Sequence, residues 1–319
     1  MSFISNCTAG AIKDAATSLI NGDLVAFPTE TVYGLGADAG NEKAVKKIYQ
    51  VKGRPSDHPL IVHISDLKQL DKWAREIPEY AIKLARSFWP GPMTLILPRT
   101  ALAKDFITGG QDNVGIRIPD QTLAIALLSE FEQQGGMGVA APSANRFGKV
   151  SPTTAKAVEA ELGAFLDSKD LILDGGSCEV GVESTIIDCT TQTPIILRPG
   201  AVTIAMIKDA TGLDVGSENI LKTKASGLLE SHYSPSAKVI LDQTPKAGDG
   251  FVALSDIKTP EGVIRLASPK NNIEYAKQIY QALRDADEKN IAKVFINLPK
   301  GDDIAMAIRD RMQKAANTG

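Results

Sequence analysis

The sequence predicts a mixed α/β protein of two domains, and three observations lead to that prediction. Short apolar segments of strand length recur along the chain, separated by segments with helical spacing of apolar residues. The chain has 319 residues, which exceeds the roughly 250–300 at which single hydrophobic cores tend to divide. The composition also changes near residue 206. We therefore expect domains at residues 1–205 and 237–319, joined by a connector at residues 206–236.

The first domain is predicted to begin with a helix, a strand and a polar loop. Residues 9–19 have helical spacing, and residues 24–27 form an apolar run that suits a short strand. The polar, glycine-bearing segment 29–38 is interpreted as a loop. Asn41 is a suitable N-cap for the next helix, which leads into Lys52.

The remainder of this domain is predicted from short apolar runs. A helix at residues 79–89 should end at the Pro-Gly-Pro that follows. Further strands are expected at residues 59–64, 93–97, 114–119, 138–141, 171–173, 184–188 and 194–198. Strands with intervening helices indicate a mixed sheet.

The second domain is predicted from a more regular alternation. Strands are expected at residues 238–241, 251–254, 262–266 and 292–298. An amphipathic helix should include residues 273–283, and a closing helix residues 304–315. This order predicts a small, doubly wound, Rossmann-like domain.

Composition and charge exclude several classes of protein. Hydrophobic residues make up 43% and charged residues 23%, as in ordinary globular proteins, and the formal net charge is −3. No overall basic field therefore attracts the chain to nucleic acid or to an anionic membrane. No segment approaches the roughly 18 apolar residues needed to span a bilayer, and the N-terminus lacks a secretory pattern. We expect a cytoplasmic protein without a membrane partner.

The three cysteines do not predict a disulfide or a metal site. Cys7, Cys178 and Cys189 are odd in number and widely spaced, which fits neither a disulfide framework nor a CxxC metal motif. Reduced thiols in a cytosolic protein are the expected state.

The familiar nucleotide-binding motifs are absent or weak. The sequence contains no GxxxxGK[ST] segment, so a P-loop is not predicted. Residues 34–39 fit GxGxx[GA], and Asp57 follows about 20 residues later, as a dinucleotide site requires. However, a polar segment separates these glycines from the preceding strand, and no helix follows them directly. A simple glycine turn is therefore favoured over a nicotinamide site.

Two pairs of polar residues suit a phosphate ligand. Lys52 supplies a point charge and Arg54 a bidentate fork, although a basic pair at a helix end also complements the helix dipole. Ser143 and Asn145 follow an apolar strand, where ligands often bind, but a capped helix start is an alternative. The Ser143 segment lacks the glycines of GxSxG, so a nucleophile elbow is not predicted.

Arginines and histidines complete the set of candidate residues. Arg117 and Arg198 lie in apolar strands, where a buried guanidinium needs either a structural carboxylate or an anionic ligand. His63 lies among apolar residues and by default is a core residue, whereas His58 follows the basic pair and His232 lies in the connector. No two histidines have metal-ligand spacing, so a zinc site is not predicted.

Several motifs occur together in one order, and their combination is more specific than any one of them. They are Pro-Thr-Glu-Thr-Val-Tyr-Gly-Leu, Lys-Gly-Arg-Pro, Pro-Leu-Ile-Val-His, Trp-Pro-Gly-Pro-Met-Thr, Ser-Ala-Asn, Glu-Ser-Thr and Leu-Arg-Pro-Gly. This order resembles the YrdC-like domain of threonylcarbamoyl-AMP synthases over about residues 9–205. The connector with His-Tyr-Ser-Pro, followed by a small Rossmann-like domain, resembles the two-domain form of that family.

The resemblance implies a YrdC-like twisted mixed sheet and a nucleotidyltransferase reaction. Threonine, bicarbonate and ATP would give threonylcarbamoyl-AMP and pyrophosphate, and a separate transferase complex would use the product to modify tRNA. Mg²⁺ would be carried by ATP, because the sequence offers no cage of carboxylates. The connector would close the pocket and protect the labile intermediate from water.

The resemblance also assigns roles to individual residues. Those expected to hold ATP are Lys52, Arg54, His58, Ser143, Asn145, Ser151 and Arg198, with His232 and Tyr233 laid over the intermediate. Among these, the central catalytic residues would be Lys52, Arg54, Ser143 and Asn145. Those expected to hold threonine are Thr31, His63, Arg117 and Ser184. His58 occupies a position where the family often carries Asn.

Two other functions remain open from the sequence. An RNA-binding module without synthase activity, or one with weak tRNA contact, could use the local cluster of Lys46, Lys47, Lys52 and Arg54. A domain that handles carbamoyl-adenylate within a larger enzyme would share the Lys-x-Arg and Ser-x-Asn elements, but the two-domain length argues against it.

Overall fold

The computed structural model describes residues 3–6, 8–216 and 233–317. These residues form a ten-stranded mixed sheet and a four-stranded parallel sheet, with helices packed against both. The predicted mixed α/β class is therefore confirmed.

The first sheet and its helices occupy the N-terminal two-thirds of the chain. Its strands are β1 (Ile4–Asn6), β2 (Val25–Phe27), β3 (Gly34–Asp38), β4 (Ile61–His63), β5 (Met93–Pro98), β6 (Asn113–Arg117), β7 (Val139–Ala140), β8 (Leu171–Asp174), β9 (Thr185–Asp188) and β10 (Ile195–Arg198). Its helices are α1 (Ala9–Ile20), α2 (Glu42–Lys52), α3 (Leu70–Trp73), α4 (Glu79–Phe88), α5 (Asp105–Thr108), α6 (Thr122–Gln133), α7 (Ala155–Leu162) and α8 (Ile204–Thr211). Short 3-10 helices cover Leu67–Gln69 and Gly163–Phe165.

The strand order of the first sheet brings distant segments together. The order is β1-β8-β2-β3-β7-β4-β6-β5-β9-β10, with parallel and antiparallel neighbours. Strands β4 and β6 are parallel and pair His63 with Arg117 at their carboxyl ends. This register places two of the candidate site residues side by side, although 53 positions separate them in the sequence.

Helix α2 delivers the basic pair as the sequence predicts. Asn41 caps the helix, since its side chain accepts hydrogen bonds from the backbone N–H groups of Lys43 and Ala44. The helix ends at Gly53, whose φ of 61° lies in the left-handed region that favours glycine. The chain therefore reverses between Lys52 and Arg54, and the two side chains leave the helix end in different directions.

The predicted loop at residues 29–38 is wrong in its second half. Gly34–Asp38 is strand β3, antiparallel to β2 and β7. A Cβ atom at Gly36 would lie 2.8 Å from the side chains of both Phe27 and Val139, so this strand requires glycine for close packing. Its two glycines obscure the strand pattern. The sequence prediction also omitted β1, α6, α7 and α8.

The second sheet contains β11 (Lys238–Leu241), β12 (Gly250–Val252), β13 (Ile264–Ala267) and β14 (Lys293–Ile296), all parallel in the order β11-β14-β12-β13. Its helices are α9 (Asn272–Glu288) and α10 (Ala305–Ala316). Both helices bury their apolar residues against the face that carries Val252 and Val294, whereas Phe251 and Phe295 on the opposite face pack with loop residues. The Rossmann-like alternation is confirmed, but a doubly wound arrangement is wrong for the described residues.

The predicted connector begins inside helix α8. This helix contributes Ile207 to the core of the first domain, and its cap Gly212 follows. Residues 217–232, which include His232, lie outside the described part of the chain, and so does Cys7. Among the helices that are described, none has the length and apolar character needed to cross a bilayer.

Candidate active site

A cleft at the carboxyl ends of β4 and β6 gathers most of the predicted site residues. The cleft encloses about 50 Å³, and together with the solvent at its mouth it occupies about 550 Å³. The predicted residues that line it are Thr31, Arg54, His63, Arg117, Ser143, Ser184, Arg198 and Tyr233. Lys52, His58, Asn145 and Ser151 are not among its lining residues, and the prediction for His232 falls outside the described range.

Two hydroxyl groups in the cleft are held in place by neighbouring threonines and by one arginine. Thr31 Oγ1 lies 2.8 Å from Thr29 Oγ1, and Ser184 Oγ lies 2.8 Å from Thr94 Oγ1. Arg198 donates from Nη2 to both the Oγ and the backbone carbonyl of Ser184, at 3.1 and 3.0 Å. These contacts fix the orientation of the hydroxyls before a ligand binds.

Arg117 has a structural carboxylate partner and also lines the cleft. Its Nη2 lies 2.7 Å from Oε1 of Glu30, and its Nε donates to the Gly91 carbonyl at 3.3 Å. The second Glu30 oxygen accepts a hydrogen bond from the backbone N–H of Asp120. The two possibilities left open by the sequence therefore coexist, because the guanidinium is paired on one side and faces the cleft on the other.

His63 is a neutral imidazole in this cleft. Burial lowers its pKa to about 3, and the nearby Arg117 charge acts in the same direction. Its Nδ1 is buried and has no hydrogen-bond partner among the described residues. The ring packs edge-on against Phe27 with 6.0 Å between centroids. His63 is thus a buried histidine, as the default interpretation held, and it also offers a nitrogen to a ligand.

The low pKa of His63 predicts a pH-dependent stability. The unfolded chain takes up a proton at this residue near pH 6.5, but the folded protein does so only near pH 3, so stability falls as the pH falls through this window. At pH 5 the loss should be about 2 kcal/mol. His63→Gln should remove this part of the pH dependence. Urea unfolding of both proteins at pH 7.5 and pH 5 measures it, and equal losses in the two proteins would contradict the prediction.

Lys52 points behind the cleft and not into it. Its ammonium group is fully buried and donates to the backbone carbonyls of Ser143, at 2.5 Å, and of Asn145. Burial, followed by the Arg54 charge, lowers the pKa of Lys52 well below its usual value. In this arrangement Lys52 holds the loop that presents the Ser143 hydroxyl to the cleft.

Asn145 and Ser151 also lie behind the cleft wall. The Asn145 amide donates from Nδ2 to the carbonyls of Arg146 and Lys149, at 2.7 and 2.9 Å. Its Oδ1 is buried and has no partner within the described part of the chain. Ser151 Oγ donates to Oε1 of Glu183 at 2.6 Å. The Asn145 Oδ1 therefore keeps its capacity to accept a hydrogen bond, whereas the Ser151 hydroxyl is engaged by Glu183.

Arg54 and His58 share contacts with one aromatic ring. The Arg54 guanidinium lies 5.9 Å from the centroid of Phe147, and His58 packs edge-on against the same ring at 5.3 Å. Arg54 also donates from Nη2 to the Pro59 carbonyl at 3.0 Å. Burial lowers the Arg54 pKa to about 10, so the group stays cationic at neutral pH. Of these two predicted ATP contacts, only Arg54 reaches the cleft.

Tyr233 reaches the cleft from the far side of the connector. Its φ of 64° is uncommon for a residue with a side chain, and the side chain is buried. The ring stacks on Tyr280 of α9 at 5.8 Å and lies under the Arg311 guanidinium at 5.5 Å. The second domain therefore holds the one described connector aromatic against the site.

Sequence reasoning missed three charged residues of the site, Glu30, Glu183 and Arg311. The two glutamates occur in the motifs Pro-Thr-Glu-Thr and Glu-Ser-Thr, which also contain predicted site residues. Their place in these motifs could have indicated that they belong to the site. Arg311 lies within the closing helix and had no such signal. Among the described residues, no cluster of three His, Cys, Asp or Glu side chains could hold a metal ion.

The local basic cluster is largely neutralised in the fold. Lys46 pairs with Glu42 at 2.7 Å, and Lys47 pairs with Asp167 and Asp170 at 2.8 and 2.7 Å. The other two members of the cluster, Lys52 and Arg54, are buried. This distribution of charge gives no support to the RNA-binding alternative.

The fold and the cleft define a two-domain α/β enzyme with a cationic small-molecule site. Residues 17–200 match the Sua5_yciO_yrdC family, described as telomere recombination, and residues 202–317 match the C-terminal domain of threonylcarbamoyl-AMP synthase. The chain belongs to the threonylcarbamoyl-AMP synthase family, which confirms the predicted resemblance and synthase function.

Individual relatives match over nearly the full length of both chains. Threonylcarbamoyl-AMP synthase of Pyrococcus abyssi is 38% identical, covering 96% of this chain and 94% of its own length. The Bacillus subtilis synthase is 39% identical over 96% and 92%. The crystal structure of P. abyssi Sua5 complexed with L-threonine has a TM-score of 0.88 and 36% identity, covering 99% of this chain and 98% of that one.

Proposed function

We propose that the cleft binds ATP and L-threonine together and, with bicarbonate, forms threonylcarbamoyl-AMP and pyrophosphate. The observation that carries this proposal is the convergence of eight predicted substrate residues on one cleft. They come from segments spread between Thr31 and Tyr233, and together they bring hydroxyls and cations to one place. The P. abyssi relative that binds L-threonine shares this fold.

Threonine would occupy the side of the cleft formed by β4 and β6. Arg117 would donate hydrogen bonds to the threonine carboxylate from the side of its guanidinium that Glu30 does not engage. The neutral His63 suits an amino acid whose amine must lose a proton, because it adds no positive charge beside that amine. Val32 and Ile61 line the same cleft and offer apolar contacts to the threonine methyl group.

ATP would occupy the side that carries Arg54, Ser143 and Arg198. Two buried guanidinium groups suit phosphate oxygens. Asn145 would act from behind the cleft wall, where its amide holds the Arg146 and Lys149 carbonyls. Lys52 would act through the Ser143 loop. Mg²⁺ would enter on the phosphates, since both carboxylates beside the cleft, Glu30 and Glu183, are engaged by arginines.

The reaction needs positioning and charge neutralisation more than a covalent nucleophile. The threonine amine, after losing a proton, would attack the carbon of bicarbonate; a carbon–nitrogen bond forms, a carbon–oxygen bond breaks, and water leaves. The resulting carbamate oxygen would attack the α-phosphorus of ATP. A carbamate–phosphorus bond forms, the bond to the β-phosphate oxygen breaks, and pyrophosphate leaves. Fixed cations stabilise the charge that develops in such a transfer. Tyr233 would cover the intermediate and limit hydrolysis.

The product would then pass to a separate transferase complex that modifies tRNA. We place this reaction in the cytoplasm, where ATP, threonine and tRNA are all available. A direct tRNA contact is not required by this scheme.

Pyrophosphate release tests the proposed function. The purified chain should release pyrophosphate from ATP only when both threonine and bicarbonate are present. Serine, which lacks the methyl group next to Val32 and Ile61, should be a poorer substrate by about 10-fold, the usual value of one buried methyl group. Release that does not depend on threonine would contradict the proposal.

A further inference from the structure

The cleft contains a carboxylate where a triphosphate should bind. Glu183 lines the cleft directly before β9, beside Ser184 and near Arg198, which is one of the predicted ATP contacts. A fixed negative charge at this place would repel ATP and attract the arginine that ATP needs. The cleft can therefore hold ATP well only if another group neutralises Glu183.

The second domain supplies that group from helix α10. Arg311 is completely buried, and its Nε lies 3.0 Å from Glu183 Oε2. Tyr280 of α9 donates its hydroxyl to the same oxygen at 2.9 Å, while Ser151 donates to Oε1 at 2.6 Å. Arg311 also donates from Nη2 to the Pro199 carbonyl at 2.9 Å, next to Arg198. The carboxylate is thus bonded on both oxygens by residues of both domains.

We propose that Arg311 is a positioning residue of the second domain that neutralises Glu183 and so keeps this carboxylate from pairing with Arg198 and from repelling ATP. This inference rests on the proposed function, because it assumes that ATP binds beside Arg198. It also gives the second domain a role at the site beyond covering it. The other cation whose charge lowers the pKa of Glu183 is Arg198 itself.

The charge state of Glu183 agrees with this role. Burial alone would raise its pKa, but the charges of Arg311 and Arg198 and the Ser151 hydrogen bond lower it to about 2. The other titratable groups that face this cluster include Tyr233, Tyr280, Asp310 and Lys314. Glu183 is therefore ionised at any working pH while Arg311 is present, and loss of Arg311 should raise its pKa.

The experiment compares ATP binding in three variants by calorimetry with MgATP. Arg311→Met should weaken ATP binding by about 10- to 100-fold, the usual value of a charge-assisted contact, and should change threonine binding much less. Adding Glu183→Gln to Arg311→Met should recover most of the lost affinity, because the amide carries no charge to repel ATP.

Arg309→Met is the matched control. It removes the same charge from the same helix, but Arg309 donates to the carbonyls of Pro299 and Gly301 within the second domain. Its ATP affinity should stay within about twofold of wild type, in line with a surface substitution. A purely structural role of the ion pair would instead weaken ATP and threonine binding together in Arg311→Met, because an unpaired buried charge destabilises the whole site; that result overturns the inference.

Tyr280→Phe provides a test if Arg311→Met does not fold. It keeps the ring and removes only the hydrogen bond to Glu183, so it should weaken ATP binding by about threefold or more. In the Glu183→Gln background the same substitution should have less effect. An unchanged affinity, or an equal loss in both backgrounds, contradicts the inference. A wild-type protein that binds ATP but releases no pyrophosphate would contradict the proposed function alone, since these affinities do not depend on turnover.

Discussion

Arg54→Ala should lower the threonine-dependent rate of pyrophosphate release by about 10- to 150-fold, with little change in fold stability. Arg54 stays cationic and lines the cleft, so its guanidinium is available to the phosphates. Its guanidinium also donates to the Pro59 carbonyl and packs against Phe147. Because the group faces the cleft, the larger part of the loss should fall on ATP. Steady-state kinetics with varied ATP, together with thermal unfolding, measures both effects.

Arg99→Ala is a suitable control for Arg54→Ala. Arg99 is also partly buried, donates to the Ala103 carbonyl at 2.8 Å and pairs with Asp105 at 2.7 Å, but it lies outside the cleft. Its rate should stay near that of wild type. If Arg54→Ala changes the rate of pyrophosphate release by less than twofold, Arg54 does not bind the phosphates, and its charge only complements the helix dipole.

Lys52→Met should lower both stability and activity, which distinguishes it from Arg54→Ala. Removal of the ammonium leaves the buried carbonyls of Ser143 and Asn145 without their donor. An unsatisfied buried acceptor costs about 1–3 kcal/mol, so the free energy of unfolding should fall by about 2–6 kcal/mol. Displacement of the Ser143 loop should then reduce the rate by about 100-fold, the usual cost of misplacing a site by about 1 Å.

Lys47→Met is the matched control on the same helix. Lys47 is only partly buried and pairs with Asp167 and Asp170 outside the cleft, so its removal should cost little activity. Urea unfolding and ATP kinetics are compared for both variants. Wild-type stability in Lys52→Met, combined with a selective loss of ATP affinity, would show that the ammonium contacts ATP directly and would contradict the loop-holding role.

Local patterns were sufficient to predict most elements of the fold. Apolar runs located β4, β5 and β6, and the Asn41 cap and Gly53 end located α2, because each signal acts within a few residues. Strand β3 was missed since its glycines serve packing against Phe27 and Val139, which is a tertiary requirement. Both helices of the second domain were predicted, but their placement on one face of its sheet is also a tertiary requirement.

Part of the set of cleft residues was also predictable, but the directions of the side chains were not. Ordered motifs brought Thr31, Arg117, Ser143 and Arg198 into one hypothesis, and all four line the cleft. The inward direction of Lys52 depends on where the Ser143 loop passes. The pairs Arg117–Glu30 and Arg311–Glu183 join positions far apart in sequence, so only the folded chain reveals them.

The most direct test of the central claim is the fate of labelled bicarbonate. The chain is incubated with ATP, threonine and ¹³C-bicarbonate, and the adenylate products are analysed immediately by mass spectrometry. We expect threonylcarbamoyl-AMP that carries one ¹³C atom, formed in step with pyrophosphate and lost in Arg54→Ala. A product without the label, or a threonyl adenylate that lacks the carbamoyl carbon, would contradict the account.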